Sequence, residues 1–305
     1  MSDKLSRVLL GNGTVKAQIV SLDRSWQQIV TRHPLQQPVL HQLGQLSAAG
    51  VLLATSLKFD GSLVLQIHGD GPVALFVVES DAEGVFRATF KLRDDAVLQD
   101  SDSLIDLVNR NGRGRFAVTL DPGPQAINRQ PYQGIVPFEG STVSHVLEGY
   151  MSRSEQVPTR IWLSCSQYRA TGLLLQQLSQ DGGKSDKSGA DSDEQWHRMV
   201  ALANTLTEQE LLELPSDQVL RRLFWQEDLA PMHSSQCRFF CRCNRDKVAA
   251  MLRMLGQVEI ESILEERQIV EIHCEYCNQR YEFDRVDALQ LFADPTAGLS
   301  SESRH

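Results

Sequence analysis

The sequence lacks any apolar run long enough to cross a bilayer. Its longest, such as Val51–Leu57, stop far short of the roughly 20 residues that a spanning helix needs. The opening Met1–Val15 has neither a long apolar centre nor a small-residue cleavage site, so a secretory leader and a membrane partner are not expected. Basic residues are the minority, 30 Lys and Arg against 39 Asp and Glu, for a formal charge of −9. That balance disfavours nucleic acid, whose affinity comes mostly from neutralised phosphates. Catalytic signatures are missing too, with no G-x-S-x-G and no H-E-x-x-H. Gly183-Lys184-Ser185 looks like the end of a phosphate-binding loop, but the glycine required five positions earlier is Leu178. No enzyme is expected, and the default compartment is the cytoplasm, where thiols stay reduced.

Cysteine is also scarce, six in 305 residues, yet four fall in one tract. Cys241 and Cys243 form a C-x-C pair, and Cys274 and Cys277 form a C-x-x-C pair thirty residues on. In a reducing compartment such clustering points to a metal or to redox chemistry, and four thiolates suit tetrahedral Zn²⁺, one per chain. The residues around them fit a small metal module. Asn244 can cap a helix over Arg245–Leu255, Gly256 can end it, and the stretches before Cys274 and after Cys277 read as the arms of a hairpin. Asn278 tolerates the left-handed conformation that such a turn uses. So small a segment buries little apolar area, and a metal would supply much of its folding free energy. A disulfide across a single residue would be strained and easily reduced, so the spacing permits a switch as well as a staple. Cys237 is a free thiol that can exchange into the cluster, Cys165 a small core residue, and His273 a solvent-facing neighbour of the site.

Three parts are expected along the chain: an α+β core over residues 1–180, a polar loop and helical linker over 181–230, and a cysteine domain over 231–305. In the first, a helix is expected over Pro38–Leu57, a hairpin turning around Gly69–Pro72 with positive φ available at both glycines, and a strand with Phe86, Ala88, Phe90 and Leu92 on one face. A further helix is expected over Ser141–Met151. Ser179–Glu194, with no apolar residue larger than alanine, should be a solvated loop. Beyond it, Trp196, Met199, Val200 and Ala203 recur at helical spacing, Thr207 and Glu210 form a capping box, and Ser216 is a second cap. Helices this short and charged are marginal unless docked on something.

These residues resemble the heat shock protein 33 family of redox-regulated holdase chaperones. The C-x-C and C-x-x-C pairs carry the likeness, with Leu57–Gly61, Gly69–Pro72, Tyr132–Gly140, Ser154–Arg160 and the tract around Thr207–Phe224 in matching order. The resemblance implies an ATP-independent chaperone that is inactive when reduced and zinc-bound. On oxidation, Cys241–Cys243 and Cys274–Cys277 disulfides form, zinc leaves, the cysteine domain and linker unfold, and apolar surface is offered to unfolding clients. It further implies a homodimer when oxidised and hand-over of clients to ATP-dependent foldases. Cys237 departs from the minimal pattern as a thiol that can interfere. Two other readings stay open: a zinc ribbon that binds nucleic acid, although residues 231–290 hold eight Lys and Arg against ten Asp and Glu, and a thiol–disulfide oxidoreductase, although its C-x-x-C would normally open a helix.

Overall fold

The computed structural model describes residues 3–57, 61–123, 130–178 and 189–293. The chain divides into two compact units, Met1–Phe240 and Cys241–His305. The architecture is α+β, as expected, and the first unit is built around one helix.

That helix, α2 (Gln37–Ala54), follows α1 (Arg24–Val30) and enters through Pro38, whose missing N–H is an orphan in any first turn. Fifteen of its 18 residues are buried, because it is covered by a sheet on either side. Its glycines mark the two close approaches. A Cβ on Gly44 would sit 2.0 Å from Cys165 Sγ in the first sheet, and one on Gly50 would sit 2.8 Å from Val78 Cγ1 in the second. Cys165 is thus a buried core residue, as its place in a strand suggested.

The first sheet runs β10-β1-β2-β9-β8, from β1 (Lys4–Leu10), β2 (Val15–Leu22), β8 (Thr159–Cys165), β9 (Ala170–Gln177) and β10 (Ala230–Pro231), with β11 (Ser235–Gln236) also on β1. The second runs β12-β5-β4-β3-β6-β7, from β3 (Ser62–His68), β4 (Val73–Asp81), β5 (Val85–Leu92), β6 (Arg115–Asp121), β7 (Tyr132–Val136) and β12 (Arg238–Phe239). Two helices flank the strands, α3 (Leu104–Val108) and α4 (Val143–Arg153), the latter capped by Thr142. The β3–β4 turn uses its glycines differently from expectation. Neither takes positive φ; a side chain is excluded instead, since a Cβ on Gly69 would meet Val73 O at 2.0 Å and one on Gly71 would meet Leu107 O at 2.5 Å.

The first sheet is covered on its far side by the linker, α5 (Gly189–Ala203), α6 (Glu208–Glu213) and α7 (Ser216–Leu223). Met199, Ala203, Leu211, Val219, Leu220, Leu223 and Phe224 pack on Leu10, Val15, Ala17, Ile19, Leu173 and Leu175. This explains why β9 is buried along nearly its whole length instead of alternating. Two expectations are corrected here. The polar stretch does not stay a loop to Glu194: α5 begins at Gly189, with Asp191 in its first turn where the helix dipole favours a carboxylate. The rest of that stretch, with Gly183–Ser185, lies outside the described residues. Ser216 is also not a cap. Pro215, extended at ψ 143, occupies that position, and its carbonyl accepts from Gln218 and Val219.

Candidate metal centre

The Cys241–His305 unit holds α8 (Arg245–Leu255), α9 (Gln257–Arg267), the hairpin β13 (Val270–His273) with β14 (Arg280–Phe283), and α10 (Arg285–Ala293). The local signals in the sequence set its geometry. Asn244 Oδ1 accepts from the Lys247 N–H at 2.8 Å and starts α8, while Lys247 Nζ donates to Arg242 O and ties down the C-x-C segment. Gly256 ends α8 at φ 93. At the hairpin tip the Asn278 N–H donates to Cys274 O and the Cys274 N–H to Gln279 O, with Asn278 at φ 55. Arg245 lies over the Phe283 ring at 4.2 Å, donates to Glu282 O and pairs with Asp287, fixing the start of α8 to the hairpin and to α10.

These elements bring Cys241, Cys243, Cys274 and Cys277 together, with the four Sγ atoms all within 4.8 Å of one another. The closest approaches cross the two motifs, Cys241 to Cys274 at 3.6 Å and Cys243 to Cys277 at 3.3 Å. Thiolates about 2.3 Å from one shared zinc stand roughly 3.8 Å apart, so the cluster fits four-sulfur coordination of a soft or borderline divalent ion. Among the described residues, nine buried apolar side chains form the core beneath it, Leu252, Ile260 and Phe283 among them. A core this small leaves little stability to spare without a cross-link or a metal.

The sulfurs are not equivalent. Burial works to raise the Cys243 thiol, but donation from the Tyr281 hydroxyl at 3.1 Å and from neighbouring thiols brings it down to about 7. Burial pushes Cys241 and Cys277 up. Cys243 is therefore held as a thiolate more readily than Cys241 or Cys277, with the Tyr281 hydroxyl supporting that charge. Tyr281→Phe removes this donor and should weaken zinc binding by about tenfold to a hundredfold in competition with a chelator. Unchanged competition would sink the role given to Tyr281.

His273 is exposed, with one ring nitrogen on Glu271 at 2.7 Å and the other on Asn278 Oδ1 at 3.2 Å, and the Glu271 contact raises its pKa. It is not among the four grouped ligand atoms. Cys237 belongs to the first unit. It is buried between β11 and β12, its N–H donates to Asp3 O, and burial with nearby Asp3 pushes its thiol up to about 12. Sequence reasoning did not find the apolar face beneath the linker. Its signal was present in the unbroken burial-compatible run Ala170–Leu175, which has no polar face to give to solvent.

Among the described residues no helix is long and apolar enough to cross a membrane. Comparison with known proteins is consistent along the chain. A family model described as Hsp33 protein matches residues 3–284. A 33 kDa chaperonin of Methylobacillus flagellatus is 41% identical over 306 residues, covering 100% of this chain and 99% of that one. One from Chromobacterium violaceum is 41% identical over 303 residues, covering 99% and 98%. The crystal structure of a 33 kDa chaperonin from Thermotoga maritima, described as a heat shock protein 33 homolog, superposes with a TM-score of 0.78 at 21% identity, covering 95% of this chain and 98% of that one. At that identity it shows the fold.

Proposed function

The chain belongs to the Hsp33 protein family, and from that premise we propose that it is a redox-regulated, ATP-independent holdase. The four-sulfur cluster is the observation that carries the reading. Cys241, Cys243, Cys274 and Cys277 would hold one zinc ion, which when bound supplies folding free energy to a unit with a nine-residue core. Oxidation by hypochlorous acid or a peroxide joins Cys241 to Cys243 and Cys274 to Cys277. Each disulfide forms from two thiolates with the loss of two electrons; hypochlorous acid takes them up with one proton and leaves as chloride and water, and a peroxide takes them up with two protons and leaves as an alcohol or water and a further water. Sulfurs bonded to one another no longer serve as thiolate ligands, so the metal and its contribution to folding are lost together.

The linker over 181–230 is the two-state element in this reading, and residues 1–180 and 231–305 are the client-holding core and the switch. Its helices are short, and they cover Leu10, Val15, Ala17, Ile19, Leu173 and Leu175. Release of the linker would offer that face to the apolar segments of unfolding proteins. The oxidised protein would dimerise, work in the cytoplasm, and pass its clients to ATP-dependent foldases. Cys237 would interfere with the native pairing only after the strands around it lift, since it is buried and its thiol is held protonated.

The test follows metal release and client aggregation together while reduced, zinc-loaded protein is titrated with hypochlorous acid. Loss of about one zinc per chain should coincide with the gain of aggregation suppression. Zinc release without that gain would leave a structural metal domain. Equal suppression by both forms would remove the switch.

A further inference from the structure

We propose that Arg169 is a polar latch that holds the linker on the core and thereby sets how readily it is released. The inference rests on the linker being the two-state element, and it names the residue that governs that equilibrium.

Arg169, in the turn between β8 and β9, has its guanidinium fixed before the linker arrives. Its Nε donates to Asp23 Oδ1 at 2.6 Å and its Nη2 to Asp23 Oδ2 at 3.3 Å. Asp23 is 3% exposed and is itself held. Its N–H donates to Asp3 Oδ1 at 2.6 Å, and the Ser21 hydroxyl donates to its Oδ1. Asp3 also accepts from the N–H and hydroxyl of Ser25. The remaining arm, Nη1, donates to the backbone carbonyl of Leu212 at 2.6 Å.

That carbonyl lies in the last turn of α6, a helix of six residues. The helix satisfies its own N-terminus through the Thr207–Glu210 capping box, and Glu210 is paired with Arg222 of α7 at 2.7 Å. The Glu210 carbonyl accepts from the Leu214 N–H at the C-cap, but the carbonyls beyond it have no partner in the helix, and a cation there is favourable. The linker thus caps one end of α6 itself and receives a cap for the other from the core. Undocking removes that cap, so helix and docked state are gained and lost together. Because Asp23 has already ordered the guanidinium, the bond to Leu212 is made with little further loss of side-chain freedom. The apolar face beneath the linker gives attraction without direction; the Arg169–Leu212 bond gives direction. A second polar side-chain contact across this boundary, Gln177 to Asp193 at 2.9 Å, is exposed and is correspondingly weaker.

The experiment is hydrogen exchange on full-length, reduced, zinc-loaded protein. Arg169→Lys keeps a cation beside Asp23 but cannot span both partners as the guanidinium does. The double variant D23N/R169M removes the pair without leaving a buried charge. Both should speed exchange across α6 and α7 by about tenfold to a hundredfold, the loss expected for a charge-assisted bond, with α2 unchanged and R169K the milder. Both should also lower the hypochlorous acid needed for half-release of the linker. Unchanged exchange in α6 would overturn the latch, and so would equal loss of protection in α2, which would make Arg169 a general fold determinant. The readout does not depend on chaperone activity. Faster exchange without aggregation suppression keeps the latch and rejects the holdase; oxidative activation with unaltered exchange does the reverse.

Discussion

Serine in place of Cys277 is expected to unfold the Cys241–His305 unit while leaving the two-sheet core around α2 folded. A hydroxyl is a poor substitute for a thiolate, and a structural zinc site uses all four of its ligands. Structural zinc contributes on the order of 10–16 kcal/mol to small domains of this kind. Losing one ligand therefore removes several kcal/mol from a unit whose apolar core is nine residues, against a net stability for any domain of only about 5–15 kcal/mol. Metal content should fall well below one per chain, and the amides of α8 and the β13–β14 hairpin should exchange without protection. Those of α2, buried between two sheets, should be unaffected. A Cys277→Ser protein with full metal content and a protected α8 would show that three sulfurs and the nine-residue core suffice.

Phe224→Asp should release the linker without any oxidant. Phe224 follows directly on α7 and is fully buried among Leu10, Val15, Leu173 and Leu175. Truncating a buried phenylalanine costs about 3–5 kcal/mol, and a carboxylate in its place adds a desolvation penalty with no cation supplied to meet it. Three short helices have little intrinsic stability to set against that. The linker should become sensitive to protease in the reduced, zinc-loaded protein, and suppression of client aggregation should appear with the metal still bound. Retained protection would mean that docking is carried by other contacts. Release without suppression would place the client surface somewhere other than the face beneath the linker.

Local chemistry was what the sequence made legible. Asn244 capping α8, Gly256 ending it, Asn278 at positive φ and the capping box at Thr207 each depend on a residue type acting within four positions, and each is found. The four cysteines were readable for the same reason, since their spacing alone implies convergence, and all four meet. What spacing does not encode is what lies across the chain. The strand Val15–Leu22 escaped notice because a strand covered on both faces loses its alternation. The glycines of the β3–β4 turn were given a conformational reason when their reason is steric, imposed at Gly69 by Val73 across the turn and at Gly71 by Leu107, more than thirty residues away. Arg169 and Asp23, 146 residues apart, have no motif at all.

The short strands β10, β11 and β12 have a topological consequence. Ala230–Pro231 and Ser235–Gln236 are stitched to β1, and Arg238–Phe239 lies parallel to β5, so the chain is pinned again just before Cys241. The other end of the linker departs from β9, which is pinned between β2 and β8. An undocked linker is therefore a tethered loop with two fixed ends. Ring closure subtracts from its entropy gain on release by a term that grows only as the logarithm of its length. Its helices also stay at high effective concentration over the face they left. Under the proposed function, a client on that face would compete with a ligand that never diffuses away, and return after reduction of the sulfurs would be a first-order event.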